Sequence, residues 1–459
     1  MIIDFLNTLN FFEAILLLGL FFSCFIQLYN SYINKKWIDI FKPLNLFALL
    51  TLFYCVIGPI ISSAESNGEI IYRATDHREY YQIGLFAAFL SFYSFKLGFN
   101  NKNNFSIKKF GLNKIKDGEF DKENVLLLHK WGELIVLAVF LMQFLAFGAY
   151  FINSIRFIGS FNQLKMQSYL IGASYGAYFG LTVNFLIVGI ILMFISLLNG
   201  SRERTKFVFY LTIATSMYIN FGFRWRLVIL FLPIFLIYFF YKKIKPKISL
   251  MIALVTSVFI FFGIIQLTRS YGLGLSFDSK SIRNIRENNQ SIIGSSIKAS
   301  FFDSNVFNTS GAMISKTPSE YGYVGIAPLT NAILVVIPRQ FLPNKPAGEY
   351  ILDLYKKIYR FKQWEVGTAS LGFAEYYISG GWIALLTLNF LLGYFYKRLW
   401  IWFLNNFNDP VAQINYAMYL SFLFIVYSRG YLLQICFLYL TLFVPLLICN
   451  YYWNKRLNR

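Results

Sequence analysis

The stretch ISLMIALVTSVFIFFGIIQL, residues 248–267, is twenty residues long and carries no charged side chain. A helix of about 20 apolar residues crosses a bilayer, since each residue adds about 1.5 Å and the hydrocarbon core is about 30 Å thick. Four lysines stand directly before the stretch, in KKIKPK at 242–247. An uncharged run of this length beside a basic cluster is typical of a membrane-spanning helix with a cytoplasmic flank.

Similar apolar segments recur along the 459 residues. Hydrophobic residues make up 57% of the chain and charged residues only 14%, whereas a soluble domain carries roughly 25% charged residues. We therefore expect an all-α polytopic integral membrane protein with about eleven transmembrane helices. The segments are residues 9–29, 44–61, 80–97, 131–151, 175–198, 207–221, 227–241, 248–267, 378–396, 411–427 and 431–451.

The charges between the segments predict the orientation. Loops on one side hold 22 Lys and Arg residues, and the short loops on the other side hold seven. Because cytoplasmic loops are richer in Lys and Arg, we expect the N-terminus outside and the C-terminus in the cytoplasm. Residues 268–377 then form one large external loop within a single transmembrane domain, 1–459. The net charge of +20 fits this rule and anionic lipid, so no nucleic-acid partner is expected.

The short external loops are rich in Arg, although Lys prevails on the cytoplasmic side. FGFRWRL, residues 221–227, places Arg224 and Arg226 between two segments of about 15 residues, too short for a full span. SRGYLL, residues 428–433, places Arg429 in a similar turn. Since the planar Arg side chain binds phosphate bidentately, these three residues predict a site for the pyrophosphate of a lipid carrier. Alternatively, each Arg reaches lipid headgroups at a helix end.

The external loop contains IPRQFLPNKPAGEY, residues 337–350, with three prolines. Proline fixes its own φ and biases the preceding residue toward extended backbone. Arg339 and Lys345 are therefore expected on a stiff strip, which binds an anion or a sugar at a lower entropic cost.

A second string, GTASLGFAEYYISGGW, residues 367–382, places Glu375 directly before the predicted ninth span. A carboxylate at that depth is partly desolvated and is our first candidate for a general base. The adjoining Tyr376 and Tyr377 are candidates for stacking on sugar rings. The alternative is an interfacial aromatic belt with a solvated Glu.

Several function classes lack support in the sequence. The predicted spans hold almost no ionisable residues, which counts against an ion-coupled pump. Walker-type, H-E-x-x-H and G-x-S-x-G motifs do not occur, so nucleotide hydrolysis, zinc proteolysis and serine hydrolysis are not indicated. No cofactor and no metal site are expected.

The strings IPRQFLPNKPAGEY and SLGFAEYYISGGW inside one long external loop resemble the Wzy-type O-antigen and capsule repeat-unit polymerases. FGFRWRLVIL, followed by KKIKPK, and SRGYLL before the last helix add to the resemblance, which covers residues 205–450 or so. The first half of the chain is similar only in hydropathy.

The resemblance implies a GT-C-like, metal-independent inverting glycosyltransferase in the bacterial inner membrane. It would join undecaprenyl-pyrophosphate-linked oligosaccharide repeat units on the outer face, producing O-antigen or capsular polysaccharide. Arg224, Arg226, Arg339 and Arg429 would stabilise the leaving pyrophosphate. Glu375 would deprotonate the acceptor hydroxyl, with His77, in ATDHRE, as the second choice.

The expected partners are the lipid-linked oligosaccharide, membrane lipid, a chain-length regulator and a flippase. Three alternatives stay open. An O-antigen ligase-type transferase shares the architecture and differs in its acceptor. A lipid-linked oligosaccharide flippase or exporter would also line a cavity with Arg. A structural membrane subunit is the third alternative.

Overall fold

The computed structural model describes residues 7–34, 36–63, 70–72, 75–101, 122–147, 182–220, 224–268, 287, 291–334, 337, 341–342, 344, 349–359 and 369–457. In chain order the helices are α1 (Phe11–Ile33), α2 (Pro43–Thr51), α3 (Gly58–Ser63), α4 (Tyr81–Asn100), α5 (Lys122–Phe147), α6 (Phe185–Leu198), α7 (Arg204–Asn220), α8 (Arg224–Lys242), α9 (Ile248–Thr268), α10 (Ile292–Ser300), α11 (Val306–Lys316), α12 (Ala327–Leu334), α13 (Glu349–Tyr359), α14 (Gly372–Asn405), α15 (Pro410–Ser428) and α16 (Leu432–Leu457). A π-helical segment, Leu52–Ile57, joins α2 to α3. Two short strands, β1 (Ile71–Tyr72) and β2 (Thr75–Asp76), pair antiparallel.

Within these described residues, nine helices are long and apolar enough to cross a membrane. The polytopic all-α membrane fold is thus confirmed. The count of eleven is not confirmed, because two predicted segments coincide with helices that are shorter than the nine spans. These are the apolar helix Thr182–Leu198 and α7, which has 17 residues. The nine are Phe11–Ile33, Pro43–Ile61, Arg78–Asn100, Val125–Leu145, Trp225–Lys242, Ile248–Leu267, Gly372–Asn405, Pro410–Ser428 and Leu432–Trp453.

α7, α8 and α14 are among the helices that are longer than the sequence predicted. α7 and α8 have 17 and 19 residues, and Arg224 and Arg226 lie in the first turn of α8 instead of a turn between helices. α14 has 34 residues and begins before Glu375, which therefore lies inside the helix. Hydropathy locates only the apolar run, whereas Arg, Lys and Glu are good helix formers and extend the helix beyond it.

The chain folds into two compact units, each assembled from three separate stretches of sequence. Unit 1 comprises Met1–Gly111, Phe301–Leu404 and Phe422–Phe437, and unit 2 comprises Leu112–Ser300, Asn405–Ser421 and Leu438–Arg459. The region 268–377, predicted as one external loop, contains the short helices α10 to α13, of which α11, α12 and α13 belong to unit 1.

Unit 1 has an aromatic core inside its spans. The ring of Phe47 stacks on Phe95 with centroids 3.9 Å apart and meets Tyr427 edge-on at 4.9 Å. The hydroxyl of Tyr427 also contacts Thr51 at 3.0 Å and the thiol of Cys55 at 3.3 Å. A buried Tyr thus contributes its ring to packing and its hydroxyl to a hydrogen bond, as its amphipathic side chain requires.

An ion pair of Arg78 joins the residues before α4 to the start of α1. Its guanidinium binds the buried carboxylate of Glu13 through both terminal nitrogens. Glu13 also closes a capping box with Asn10 at the start of α1. Arg78, one of the Arg residues of the predicted short external loops, therefore has an intramolecular partner.

Unit 2 is built around the packing of α5 on α6. The hydroxyl of Tyr218, in α7, donates to the carbonyl of Val183 at 2.8 Å. In the α15 and α16 parts of this unit, the rings of Tyr419 and Phe443 stack at 4.3 Å.

In unit 1, α4 and α14 pack closely against each other at two glycines. A Cβ added to Gly98 would collide with the carbonyl oxygen of Phe390, and one added to Gly393 would collide with that of Phe95. Such small residues let membrane helices approach closely.

We expect Gly98→Ala and Gly393→Ala each to destabilise the detergent-solubilised protein by about 1–3 kcal/mol, because the helices must separate. Gly322→Ala is the matched control, since a Cβ there meets nothing within 4 Å. Thermal unfolding measures the difference. Equal melting temperatures for all three variants would contradict the close approach.

Candidate functional site

The carboxylate of Glu375 is buried in the first turn of α14, with 2% of the residue exposed. It accepts a hydrogen bond from the hydroxyl of Tyr350 at 2.6 Å. The backbone N–H of Leu432 donates to both of its oxygens, at 3.0 and 2.8 Å. Leu432 is the first residue of α16, where unpaired N–H groups and the helix dipole favour an anion. These hydrogen bonds replace the water that burial removes.

Three strings that are distant in sequence meet at this carboxylate. Tyr350 ends IPRQFLPNKPAGEY, Glu375 lies in GTASLGFAEYYISGGW, and Leu432 belongs to SRGYLL. The last two strings are joined again, because Gly430 N–H donates to the carbonyl of Ser370 at 2.7 Å. The hydroxyl of Ser370 in turn donates to the carbonyl of Gly430 at 3.3 Å. Three of the strings that carry the resemblance thus converge within unit 1.

Three tyrosine hydroxyls attach α13 to the rest of unit 1. Tyr350 binds the carboxylate, Tyr355 donates to Ser370 at 3.3 Å, and Tyr359 shares a hydrogen bond with Thr309 at 2.5 Å. All three tyrosines are buried. The helix is therefore held at its start, its middle and its end, and it covers the Glu375 carboxylate.

The tyrosine hydroxyls near the carboxylate keep their protons. Burial raises the pKa of Tyr350, and the adjacent Glu375 carboxylate raises it further. Burial also raises the pKa of Tyr355, opposed in part by the hydrogen bond to Ser370 and the charge of Arg429. Both hydroxyls act as donors at neutral pH because the phenolate is disfavoured there.

Arg429 lines a small cavity of about 80 Å³ beside α13. Pockets that enclose drug-sized ligands measure roughly 300–1,000 Å³, so this cavity admits a phosphate-sized group or several waters and excludes an oligosaccharide. Its lining supplies hydroxyl, amide and guanidinium groups, and the polar side chains are those of Tyr355, Ser370, Arg429, Tyr431 and Gln434.

The tyrosines that follow Glu375 have different surroundings. Tyr377 is buried, donates to the carbonyl of Thr317 at 3.3 Å, and packs against Tyr323 and Trp382 at 6.2 and 4.7 Å. This side chain serves packing in the structure. Tyr376 is half-buried in the same turn of α14.

His77 lies in an aromatic cluster at the other end of α13. It is 1% exposed, and its ring is 6.1 Å from Tyr72, 5.9 Å from Tyr80 and 5.6 Å from Tyr359. Since Tyr350 and Tyr359 are nine residues apart on α13, the two candidate bases contact points about 13 Å apart along the helix. Glu375 and His77 therefore do not form a pair.

Burial lowers the pKa of His77 to about 4, although backbone groups of Asn308 and Tyr72 and the carboxylates of Asp76 and Glu79 favour the protonated ring. The imidazole is therefore neutral at pH 7.

The remaining predicted residues belong to unit 2 or lie outside the described part of the chain. Arg226 belongs to unit 2, is 6% exposed, and holds its guanidinium carbon 5.0 Å from the ring centroid of Trp225. Arg224 starts α8, and its side chain lies outside the described part. Arg339 and Lys345 lie outside the described residues altogether.

No group of three or more His, Cys, Asp and Glu side chains able to hold a metal ion is found among the residues described.

Sequence reasoning missed the tyrosines of α13 and the serine that supports the turn before Glu375. Ser310 accepts the backbone N–H of Leu371 at 2.7 Å and so links α11 to the start of α14. A signal was present for α13: in EYILDLYKKIY the apolar and Tyr residues recur at helical spacing, with Asp353, Lys356 and Lys357 between them.

No family model, curated protein or solved structure matches the chain.

We expect the protein to lose stability as the pH falls from about 6.5 to about 4. His77 has a folded-state pKa of about 4, below its ordinary value of 6.5. Between these two pH values the unfolded chain is protonated at His77 and the folded chain is not, so protonation favours unfolding. Within that pH range, His77 alone changes the free energy of unfolding by up to about 1.4 kcal/mol per pH unit. Melting temperatures of the wild type and His77→Gln between pH 7.5 and 4.5 measure it.

The variant should show a shallower pH dependence, because Gln does not titrate while all other groups are unchanged. Parallel curves for wild type and His77→Gln would contradict the assignment of a neutral buried ring.

Proposed function

We propose that this protein is a membrane glycosyltransferase that polymerises lipid-pyrophosphate-linked oligosaccharide repeat units. It has a GT-C-like architecture with about eleven spans, lies in the bacterial inner membrane and acts on the outer face, with its N-terminus outside and its C-terminus cytoplasmic. Its substrates are undecaprenyl-pyrophosphate-linked oligosaccharides, and a chain-length regulator and a flippase are its partners. The donor is already activated as a pyrophosphate, so the transfer requires no nucleotide.

One observation carries this proposal: three strings of the resemblance, contributed by α13, α14 and the start of α16, meet at the Glu375 carboxylate. A buried acid that binds residues from two other segments of the chain is typical of a reaction centre. An interfacial aromatic belt would need no such convergence.

Arg429 is suited to the leaving group. It lines a cavity of about 80 Å³ that admits a phosphate-sized group, together with the hydroxyls of Tyr355 and Ser370. A guanidinium and neutral donors arranged in advance stabilise the charge that develops on a departing pyrophosphate. The sugars must bind outside this cavity.

Glu375 is suited to receive the proton of the acceptor hydroxyl. One of its oxygens already accepts the Tyr350 hydroxyl at 2.6 Å. We assign this hydroxyl as a placeholder for the sugar hydroxyl, which has the same hydrogen-bonding chemistry. The acceptor then reaches the carboxylate when Tyr350 moves aside, while Leu432 N–H holds the acid in place.

The proposal is tested by giving the purified, reconstituted protein a lipid-pyrophosphate-linked repeat unit from its native host. Products of two and more repeats on one lipid, without added nucleotide, are expected. Transfer only onto a lipid-core acceptor would instead identify a ligase-type transferase. Movement of the substrate across the vesicle membrane without a new glycosidic bond would identify an exporter.

Glu375→Gln should reduce polymerisation by about 100- to 10,000-fold, because Gln retains an oxygen for Leu432 N–H but takes no proton. Binding of the lipid-linked repeat should remain close to normal. Glu320→Gln is the matched control, since its carboxylate is exposed and pairs with Lys316. Equal turnover by both variants would remove the base role from Glu375.

Arg429→Lys should lose much of the activity at unchanged protein level, because Lys cannot make the two parallel hydrogen bonds that Arg makes to phosphate. Arg398→Lys is the control, since Arg398 lies over the Tyr394 ring at 4.9 Å on the distant part of α14. Near-normal chain growth with Arg429→Lys would indicate that Arg429 only reaches lipid headgroups.

A further inference from the structure

α12 has an exposed apolar edge. Ile326, the residue directly before α12, is 73% exposed, and its carbonyl accepts the N–H of Thr330 at the start of the helix. Leu329 and Ile333, within α12, are 54% and 62% exposed. Their spacing of three and four residues places all three on one side of the helix. The opposite side packs into unit 1 through Pro328, Asn331 and Ala332. Three large aliphatic side chains in a row on a short helix are a contiguous patch that needs an apolar environment.

Two contacts of the turn before α12 determine where α12 lies along α14. The N–H of Val324 donates to the carbonyl of Ile378 at 2.9 Å. A Cβ added to Gly381 would touch the Tyr323 ring, and Gly381 itself has a φ of +68°. α12 is therefore attached at the break in α14, where Gly380 and Gly381 leave helical geometry.

The position of the break along α14 suits the edge of the lipid core. α14 is about 51 Å long at 1.5 Å per residue, well beyond the hydrocarbon core of about 30 Å. The part after the break, from Trp382 to Asn405, is long enough to span by itself. The rings of Tyr323, Tyr377 and Trp382 cluster at the break, and such aromatic clusters mark the boundary between membrane and water.

We propose that α12 is an interfacial helix, whose edge of Ile326, Leu329 and Ile333 is immersed among the lipid acyl chains at the headgroup boundary. The occupant is lipid because the edge adjoins the break, after which α14 is apolar enough to span a membrane and exposes Ile383 by 77%. The arrangement matches an amphipathic helix lying in the plane of the interface. This inference does not depend on the proposed reaction.

The polar neighbours lie on the water side of this boundary. Lys357 donates to the carbonyl of Glu320 at 2.8 Å and lies 5.0 Å from the ring centroid of Tyr321. This contact ties α13 to the segment that carries α12. Lipid contact through α12 thereby helps to hold α13 over Glu375.

The test uses the full chain in phosphatidylcholine vesicles, with one cysteine added at a time by Ile326→Cys, Leu329→Cys or Ile333→Cys and labelled with an environment-sensitive fluorophore. Ser319→Cys is the matched control, because Ser319 is exposed just before this segment. The unmodified chain provides the labelling blank, since its cysteines are buried or half-buried. Emission is measured with aqueous iodide and with lipids that carry a quencher on the acyl chain.

We expect the labels at 326, 329 and 333 to emit at shorter wavelength, to be quenched by the acyl-chain quencher and to be several-fold less sensitive to iodide than the label at 319. Quenching of the three labels by iodide as strongly as at 319 would overturn the proposal. Protection from both quenchers would overturn it as well, because the edge would then be covered by protein.

Discussion

The hydrogen bonds of one buried carboxylate determine the arrangement of unit 1. Glu375 is removed from water, and a buried carboxylate is tolerated only where donors replace its hydration. Those donors come from two other segments, the Tyr350 hydroxyl of α13 and the Leu432 N–H at the start of α16. The turn that holds Arg429 precedes α16 directly, so its position follows from the same interaction. The acid, the arginine and the covering helix thus form one cluster.

The break in α14 has its backbone and ring surfaces covered by the segment before α12. Irregular backbone at membrane depth is stable only where protein or water satisfies its polar groups. At Gly380 and Gly381, the carbonyl of Ile378 accepts Val324 N–H and the Tyr323 ring covers Gly381. Under the proposal for α12, the break separates the spanning part of α14 from the short part that carries Glu375. It also supplies the attachment point of α12.

Much of the fold could be predicted from hydropathy, since apolar runs such as 248–267 coincide with helices. The length of α14 could not, because residues such as Glu375 extend a helix without adding hydropathy. Glu375 and Arg429 were chosen from composition and local strings, and their proximity depends on contacts across more than fifty residues that no periodicity reveals. Tyr350 ends the string IPRQFLPNKPAGEY, but the sequence indicates no role for it, because the hydrogen bond of a tyrosine is visible only in three dimensions. His77 was chosen as a loop residue, whereas packing by Tyr359 and Tyr72 buries it.

The most direct test of this account is hydrogen–deuterium exchange of the purified chain in wild-type and Glu375→Ala forms. Without the carboxylate, Tyr350 and Leu432 N–H lose their common acceptor, and α13 and the first turn of α16 should both exchange faster. The packing of α4 on α14, which lies beyond the break, should be unchanged. Unchanged exchange at α13 and α16, or faster exchange at only one of them, would contradict the claim that Glu375 holds the cluster together.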